Sequence, residues 1–282
     1  MTIDVEAPQD QYVQVGEVLT RYWTLGDRGM PVILIHGIDG SVESWMYNVH
    51  ALAPDHRVYV VDLVGSGRSD KPDVEYSLEH FARFINGFMM TVGVPGASLV
   101  GHSLGGAIAL EYAFHFPEKL DKLVLVAGGG LGREASLRFR LAALPFIGEW
   151  LTRPSRKGVA STLSERFQDP ALISEDLIEK TYELAVLPGA HDSYVSTVRT
   201  LGSFRGLHRE LVRHIRDNLH TIRVPTLIVW GRQDQILPPA QARAAKTRIT
   251  NAQLSILDSC GHLPQLECAE AFNALVSEFL AI

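Results

Sequence analysis

The chain has 282 residues, 46% of them apolar and 21% charged, with a formal charge of −6. That balance fits one large α/β domain, or such a domain carrying an insertion, and excludes a disordered or fibrous chain. The negative charge argues against nucleic acid or an anionic membrane as the main partner, and the richest basic stretch, Arg205 to Arg216, is interrupted by Glu210 and histidines.

The start, Met1 to Glu6, is acidic and lacks the basic opening and apolar core of a secretory leader. The segments Tyr12–Val15 and Arg21–Leu25 then alternate like half-exposed strands. The later runs Pro31–Ile35, Val58–Val61, Ala97–Val100, Lys122–Val126, Thr226–Trp230 and Leu254–Leu257 are continuously apolar. Such runs suit parallel strands buried on both faces. Helical patterns lie between most of them, near Val42–Ala53, Leu78–Val92, Ser103–Phe116, Ala240–Thr247 and Ala269–Leu280. This alternation predicts an α/β fold with a mostly parallel central sheet and helices on both faces.

The rhythm breaks after Gly128-Gly129-Gly130. From Leu131 to Asn218 no convincing strand is readable, and helical pieces at Ser136–Leu144, Gly148–Leu151 and Ser174–Ala185 are separated by prolines and glycines. Residues 131–218 therefore read as a helical cap inserted between two central strands, with residues 1–130 and 219–282 forming the body. A lid over the strand ends is the expectation. Leu141, Leu144, Phe146, Ile147, Trp150 and Leu151 give the cap an apolar face expected to line part of a substrate pocket, with Leu263 added from the loop after the last strand.

The chemistry centres on Gly101-His102-Ser103-Leu104-Gly105-Gly106, which follows an apolar run and opens a helical one. Strand, sharp turn and helix are the context in which G-x-S-x-G becomes a nucleophile elbow rather than a glycine-rich turn with a buried serine. A serine hydroxyl needs a base. His262, just after the final strand, is the candidate, and Asp234, after the strand ending at Trp230, is the candidate acid. Asp192, Asp217 and Asp258 compete for that role, although Asp258 suits a turn cap better. Acyl transfer also needs donors for an oxyanion; the backbone N–H groups of Ile38 and Leu104 are expected to supply them. His36 reads as a turn organiser, Asp39 as facing solvent or a substrate rim, and the Asp62–Asp70 loop as structural. No metal site and no cofactor are expected, since neither clustered Cys/His ligands nor a phosphate-binding glycine pattern occurs. Cys260 and Cys268 are too few for a disulfide framework and read as unbonded packing residues. No apolar run reaches the length of a membrane span, and a cytoplasmic location is expected. The expected partner is a small-molecule substrate, with neither nucleic acid nor membrane; a homo-oligomer is left open.

With these motifs in order, the chain resembles the α/β-hydrolase family over nearly its whole length. The match rests on His36-Gly37, Gly65-Ser66-Gly67-Arg68-Ser69, the Ser103 elbow, Gly231-Arg232-Gln233-Asp234 and Gly261-His262. The resemblance implies a Ser103–Asp234–His262 triad. Within the family the chain looks most like the branch that hydrolyses carbon–carbon bonds in meta-cleavage products of aromatic degradation, through Gly129-Gly130-Leu131-Gly132, Leu172 to Ile178, Glu267 and Phe272-Asn273. It departs from that branch at His102, where the branch has asparagine, at Leu263, where it has tryptophan, and at Thr181, where a substrate-binding arginine falls. Ester hydrolysis through an acyl-enzyme on Ser103 is therefore the expected activity. Carbon–carbon hydrolysis is the alternative, and a non-catalytic small-molecule receptor a third reading.

Overall fold

The structure, a computed structural model, describes residues 6–281, so most of the acidic start (Met1 to Val5) and Ile282 lie outside the described residues. Its centre is an eight-stranded sheet: β1 (Gln11–Val15), β2 (Val18–Leu25), β3 (Pro31–Ile35), β4 (Arg57–Val61), β5 (Ala97–His102), β6 (Leu120–Val126), β7 (Thr226–Gly231) and β8 (Ala252–Leu257). The spatial order is β1-β2-β4-β3-β5-β6-β7-β8. β2 pairs antiparallel with both β1 and β4, and every other pair is parallel.

The apolar runs are explained by what lies on each face. Along β3, Ile33 and Ile35 join one core while Val32 and Leu34 join the other. The same partition repeats in β4 (Tyr59 and Val61 against Val58 and Val60) and in β7 (Ile228 and Trp230 against Leu227 and Val229). Side chains alternate faces along a strand, so a strand buried on both sides must be apolar throughout. One face is covered by helices α1 (Leu78–Thr91) and α2 (Leu104–His115). In the region read as a helix from Val42 to Ala53, a short 3-10 turn at Val42–Trp45 and one helical turn at Val49–Leu52 form instead. Asn48 stands at the break, and its side-chain amide donates to Gln265 O (3.0 Å) and Asn273 Oδ1 (2.7 Å).

Between β6 and β7 the chain builds α3 (Leu137–Ala142), α4 (Ile147–Leu151), α5 (Arg156–Arg166), α6 (Glu175–Ala185) and α7 (Ala190–Leu201). A two-residue pairing of Gly202-Ser203 with Gly206-Leu207 follows, a local ladder too short for a sequence pattern. Helix α8 (Arg209–Asn218), counted with the insertion from sequence, packs instead on the body. Its Ile215 is fully buried in the main core and its His214 Nε2 bonds Glu111 Oε2 of α2 at 2.9 Å. The body closes with α9 (Ala240–Lys246) and α10 (Ala269–Ala281), whose Phe272, Val276, Phe279 and Leu280 cover the second face of the sheet. Among the described residues no helix is long and apolar enough to cross a membrane.

Candidate active site

The sharp turn after β5 puts Ser103 at φ 51° and ψ −113°, at the N-terminus of α2. A non-glycine residue rarely adopts positive φ, and here the surrounding packing enforces it. Gly105 shows why the turn needs small residues: a Cβ there would lie 2.3 Å from the carbonyl oxygen of Ile35. The elbow is thereby pressed against the end of β3.

Three side chains from distant segments meet at this turn. His262 Nε2 lies 3.1 Å from Ser103 Oγ, and His262 Nδ1 lies 2.8 Å from Asp234 Oδ2. The second carboxylate oxygen of Asp234 accepts the N–H groups of Ile236 (2.8 Å) and Leu237 (2.9 Å), so both oxygens are engaged and the group cannot rotate freely. The side chains of Asp234 and His262 are almost wholly buried. The competitors fall elsewhere. Asp192 and Asp217 are exposed on α7 and α8, and Asp258 pairs with Arg232 on the surface.

His102, beside the serine, donates from Nε2 to His262 O at 2.8 Å. Burial holds its pKa well below the usual imidazole range. A neutral His102 thus fixes the backbone of the residue that faces Ser103. His36 works alike in the loop after β3: Nδ1–H donates to Gly37 O at 2.7 Å and Nε2 accepts Leu63 N–H at 3.0 Å, which joins two loops. Asp62 binds Val42 N–H and Arg68 N–H, each at 2.7 Å, as a loop organiser. Both cysteines are free.

Ile38 and Leu104 border the Ser103 cavity, and among the described residues neither N–H donates to a protein acceptor. Both backbone donors are therefore left without a protein partner at the edge of this cavity. The apolar wall of that cavity includes Leu78, Phe139, Leu201, Leu211 and Leu237. A second compartment shares Ile38, Leu104, Arg138, Thr162, Arg166 and Tyr194 with it and adds Ser66, Thr152, Thr181, Ser193 and Thr197.

The pocket expected from sequence is corrected here. Leu141, Leu144, Phe146, Ile147, Trp150 and Leu151 border neither compartment. Phe146 is 89% exposed and Trp150 is 68% exposed, Ile147 and Leu151 are exposed too, and Leu141 and Leu144 are half-buried away from both compartments. Leu263 is buried, but against Val159, Leu163 and Phe167 at the seam between α5 and the body. The residues missed are polar: Arg138, Thr162, Arg166 and Tyr194. A signal for two of them existed, because Val159, Leu163 and Phe167 recur every fourth residue and thus mark a helix that also carries Thr162 and Arg166.

Asp39, expected at a solvent or substrate rim, is exposed and borders the second compartment, where it is also paired. Arg166 Nη1 lies 2.8 Å from its Oδ1 and Nη2 lies 2.9 Å from its Oδ2. Arg138 differs: among the described residues its guanidinium makes no ion pair, and its buried Nε has no hydrogen-bond partner.

A strained serine at a helix N-terminus, an imidazole bridging it to a buried carboxylate, and a mostly parallel sheet define the class: residues 30–269 match the alpha/beta hydrolase fold family, and the chain belongs to it. Within that family it is 30% identical to the 2-hydroxy-6-oxo-6-(2'-aminophenyl)hexa-2,4-dienoic acid hydrolase of Metapseudomonas resinovorans, over 96% of this chain and 91% of that protein. It is 29% identical to the 2-hydroxy-6-oxo-2,4-heptadienoate hydrolase of Pseudomonas putida, covering 99% of this chain and 98% of that one. The solved meta-cleavage product hydrolase of Pseudomonas fluorescens superposes with a TM-score of 0.82 at 29% identity, covering 98% of each chain.

Proposed function

We propose that this α/β hydrolase cleaves a carbon–carbon bond in an oxo-dienoate of the meta-cleavage type, using Ser103, Asp234 and His262. Two things support the substrate class: the nearly full-length similarity to hydrolases of such compounds, and Arg138, a cation in the Ser103 cavity that makes no ion pair among the described residues. The family's arginine has no counterpart at Thr181, but an arginine on α3 borders the same space, which suits a carboxylate on the substrate. Hydrolysis of an apolar ester is the second reading. It is favoured by the leucine- and phenylalanine-lined wall beside the serine, which suits an acyl chain.

In either reaction His262 takes the Ser103 proton as Oγ attacks the carbonyl carbon, and Asp234 holds the imidazolium that forms. The negative charge grows on the carbonyl oxygen, where the N–H groups of Ile38 and Leu104 receive it. His262 then returns the proton to the departing group. A carbon leaving group departs only if its electron pair is delocalised, as a conjugated keto acid allows. Water, deprotonated by the same imidazole, releases the acyl group from Ser103. Helices α3 to α7 serve as a lid that keeps bulk water out of this space.

Purified protein incubated with coloured oxo-dienoates and with p-nitrophenyl esters tests the reading. Loss of dienoate colour with a kcat/KM above that for the esters, abolished in Ser103→Ala, is the expected result. Ester turnover without dienoate cleavage overturns the carbon–carbon reading and leaves the second one standing.

A further inference from the structure

The two candidate oxyanion donors are held by different means. Leu104 N–H belongs to the first turn of α2, a buried helix with no freedom to turn. Ile38 N–H belongs to a four-residue turn from Gly37 to Gly40, closed by one bond, Gly40 N–H to Gly37 O at 3.1 Å. Asp39 occupies the left-handed region in that turn at φ 54°, which aspartate tolerates better than most residues other than glycine but which leaves its side chain to be held by what it meets.

What the side chain meets is α5. Arg166 engages both oxygens of Asp39 through its two terminal nitrogens, at 2.8 and 2.9 Å, in a planar two-point grip that fixes orientation as well as distance. Arg166 is in turn locked to the opposite side of the site. Its carbonyl oxygen accepts His262 N–H at 2.7 Å. Two residues on, Gln168 N–H donates to Glu267 Oε2 at 2.6 Å, and Glu267 Oε1 accepts Leu263 N–H at 3.1 Å. The chains approach so closely that a Cβ on Gly261 would sit 2.5 Å from Arg166 O, which leaves only glycine there.

Building on the hydrolase reading above, we propose that Arg166 is a positioning residue: through Asp39 it sets the direction of the Ile38 N–H, so the oxyanion site is complete only when α5 is seated against the His262 loop. One residue of the lid thus connects lid closure to transition-state stabilisation without touching the reacting atoms. A simple latch, holding α5 to the body and nothing more, is the competing account.

The two accounts separate on kcat and on the reactivity of Ser103. Arg166→Met, Arg166→Lys, Asp39→Asn and the Arg166→Met/Asp39→Asn double variant are compared with the parent in the full chain. The readouts are p-nitrophenyl acetate turnover, the rate constant for fluorophosphonate labelling of Ser103, and the melting temperature. Positioning predicts that Arg166→Met and Asp39→Asn each lower kcat about 10- to 100-fold with KM within about threefold, and slow labelling by a similar factor. The double variant should be no worse than the worse single one, and Arg166→Lys should fall between, since an ammonium grips at one point. Asp39→Asn keeps the shape of the turn, so a folding failure confined to the arginine variants leaves the test intact. Unchanged kcat and labelling with a lowered melting temperature would overturn the proposal in favour of a latch. A raised KM with kcat preserved would overturn it in favour of direct substrate contact. Parent turnover that survives Ser103→Ala is a separate outcome: it sinks the hydrolase reading itself.

Discussion

Asp234 holds His262 through one oxygen while the backbone of its own loop holds the other: Oδ2 lies 2.8 Å from His262 Nδ1, and Oδ1 accepts from Ile236 and Leu237 at 2.8 and 2.9 Å. An asparagine there can keep the backbone bonds only by turning its NH₂ toward Nδ1. The imidazole must then carry its proton on Nε2, the wrong nitrogen for accepting the serine proton. Asp234→Asn should lower kcat about ten-thousand-fold while the melting temperature stays within a few degrees of the parent's. A reduction of less than tenfold would show that another group orients His262.

Arg138 should govern acid-bearing substrates only. Arg138→Leu removes a cavity cation that makes no ion pair among the described residues. KM for an oxo-dienoate should rise about 10- to 100-fold, with turnover of a neutral ester within about threefold. Steady-state kinetics on both substrates check this, and equal effects on the two would remove the carboxylate assignment.

Cavity wall and outer surface should separate cleanly. Phe139 borders the serine compartment, whereas Trp150 is 68% exposed on α4. Phe139→Ala should shift preference toward bulkier acyl groups by about tenfold in relative kcat/KM, because the vacated volume accepts extra methylenes. Trp150→Ala should leave the profile unchanged and stability within about 0.5 kcal/mol. A p-nitrophenyl ester series of increasing chain length provides the measurement.

Stability should fall in acid partly through His36. Burial pushes its pKa down from 6.5 to about 4, and both ring nitrogens are engaged in the neutral form. Between those values the unfolded chain binds a proton that the folded chain does not, so stability is lost as pH falls through that window. The full loss is about 3 kcal/mol. His102, also buried, adds a slope of the same sign, whereas Asp62, raised to about 6 by burial, favours the folded state as pH drops from 6. Both persist in His36→Gln, so urea midpoints from pH 7 to 4 should decline less steeply in that variant than in the parent. Parallel curves would exclude the His36 contribution.

Much of this protein is written locally. The runs Pro31–Ile35, Val58–Val61 and Thr226–Trp230 name buried parallel strands because backbone pleating sends alternate side chains to two apolar cores. Ser103 is marked by the glycines that its turn requires, and His262 and Asp234 by their places after strands, since strand ends on one edge of a sheet lie side by side. The cavity is different. Phe146 and Trp150 have the composition of a pocket and lie outside it, whereas Arg166 has the composition of a surface and lies within. Amphipathic periodicity states that a helix has an inner face but not what that face meets. Which helix of the insertion leans over Ser103, and which cation finds an acid in Asp39 while another finds none among the described residues, is decided by how α3, α5 and α7 pack, through contacts between residues more than a hundred positions apart.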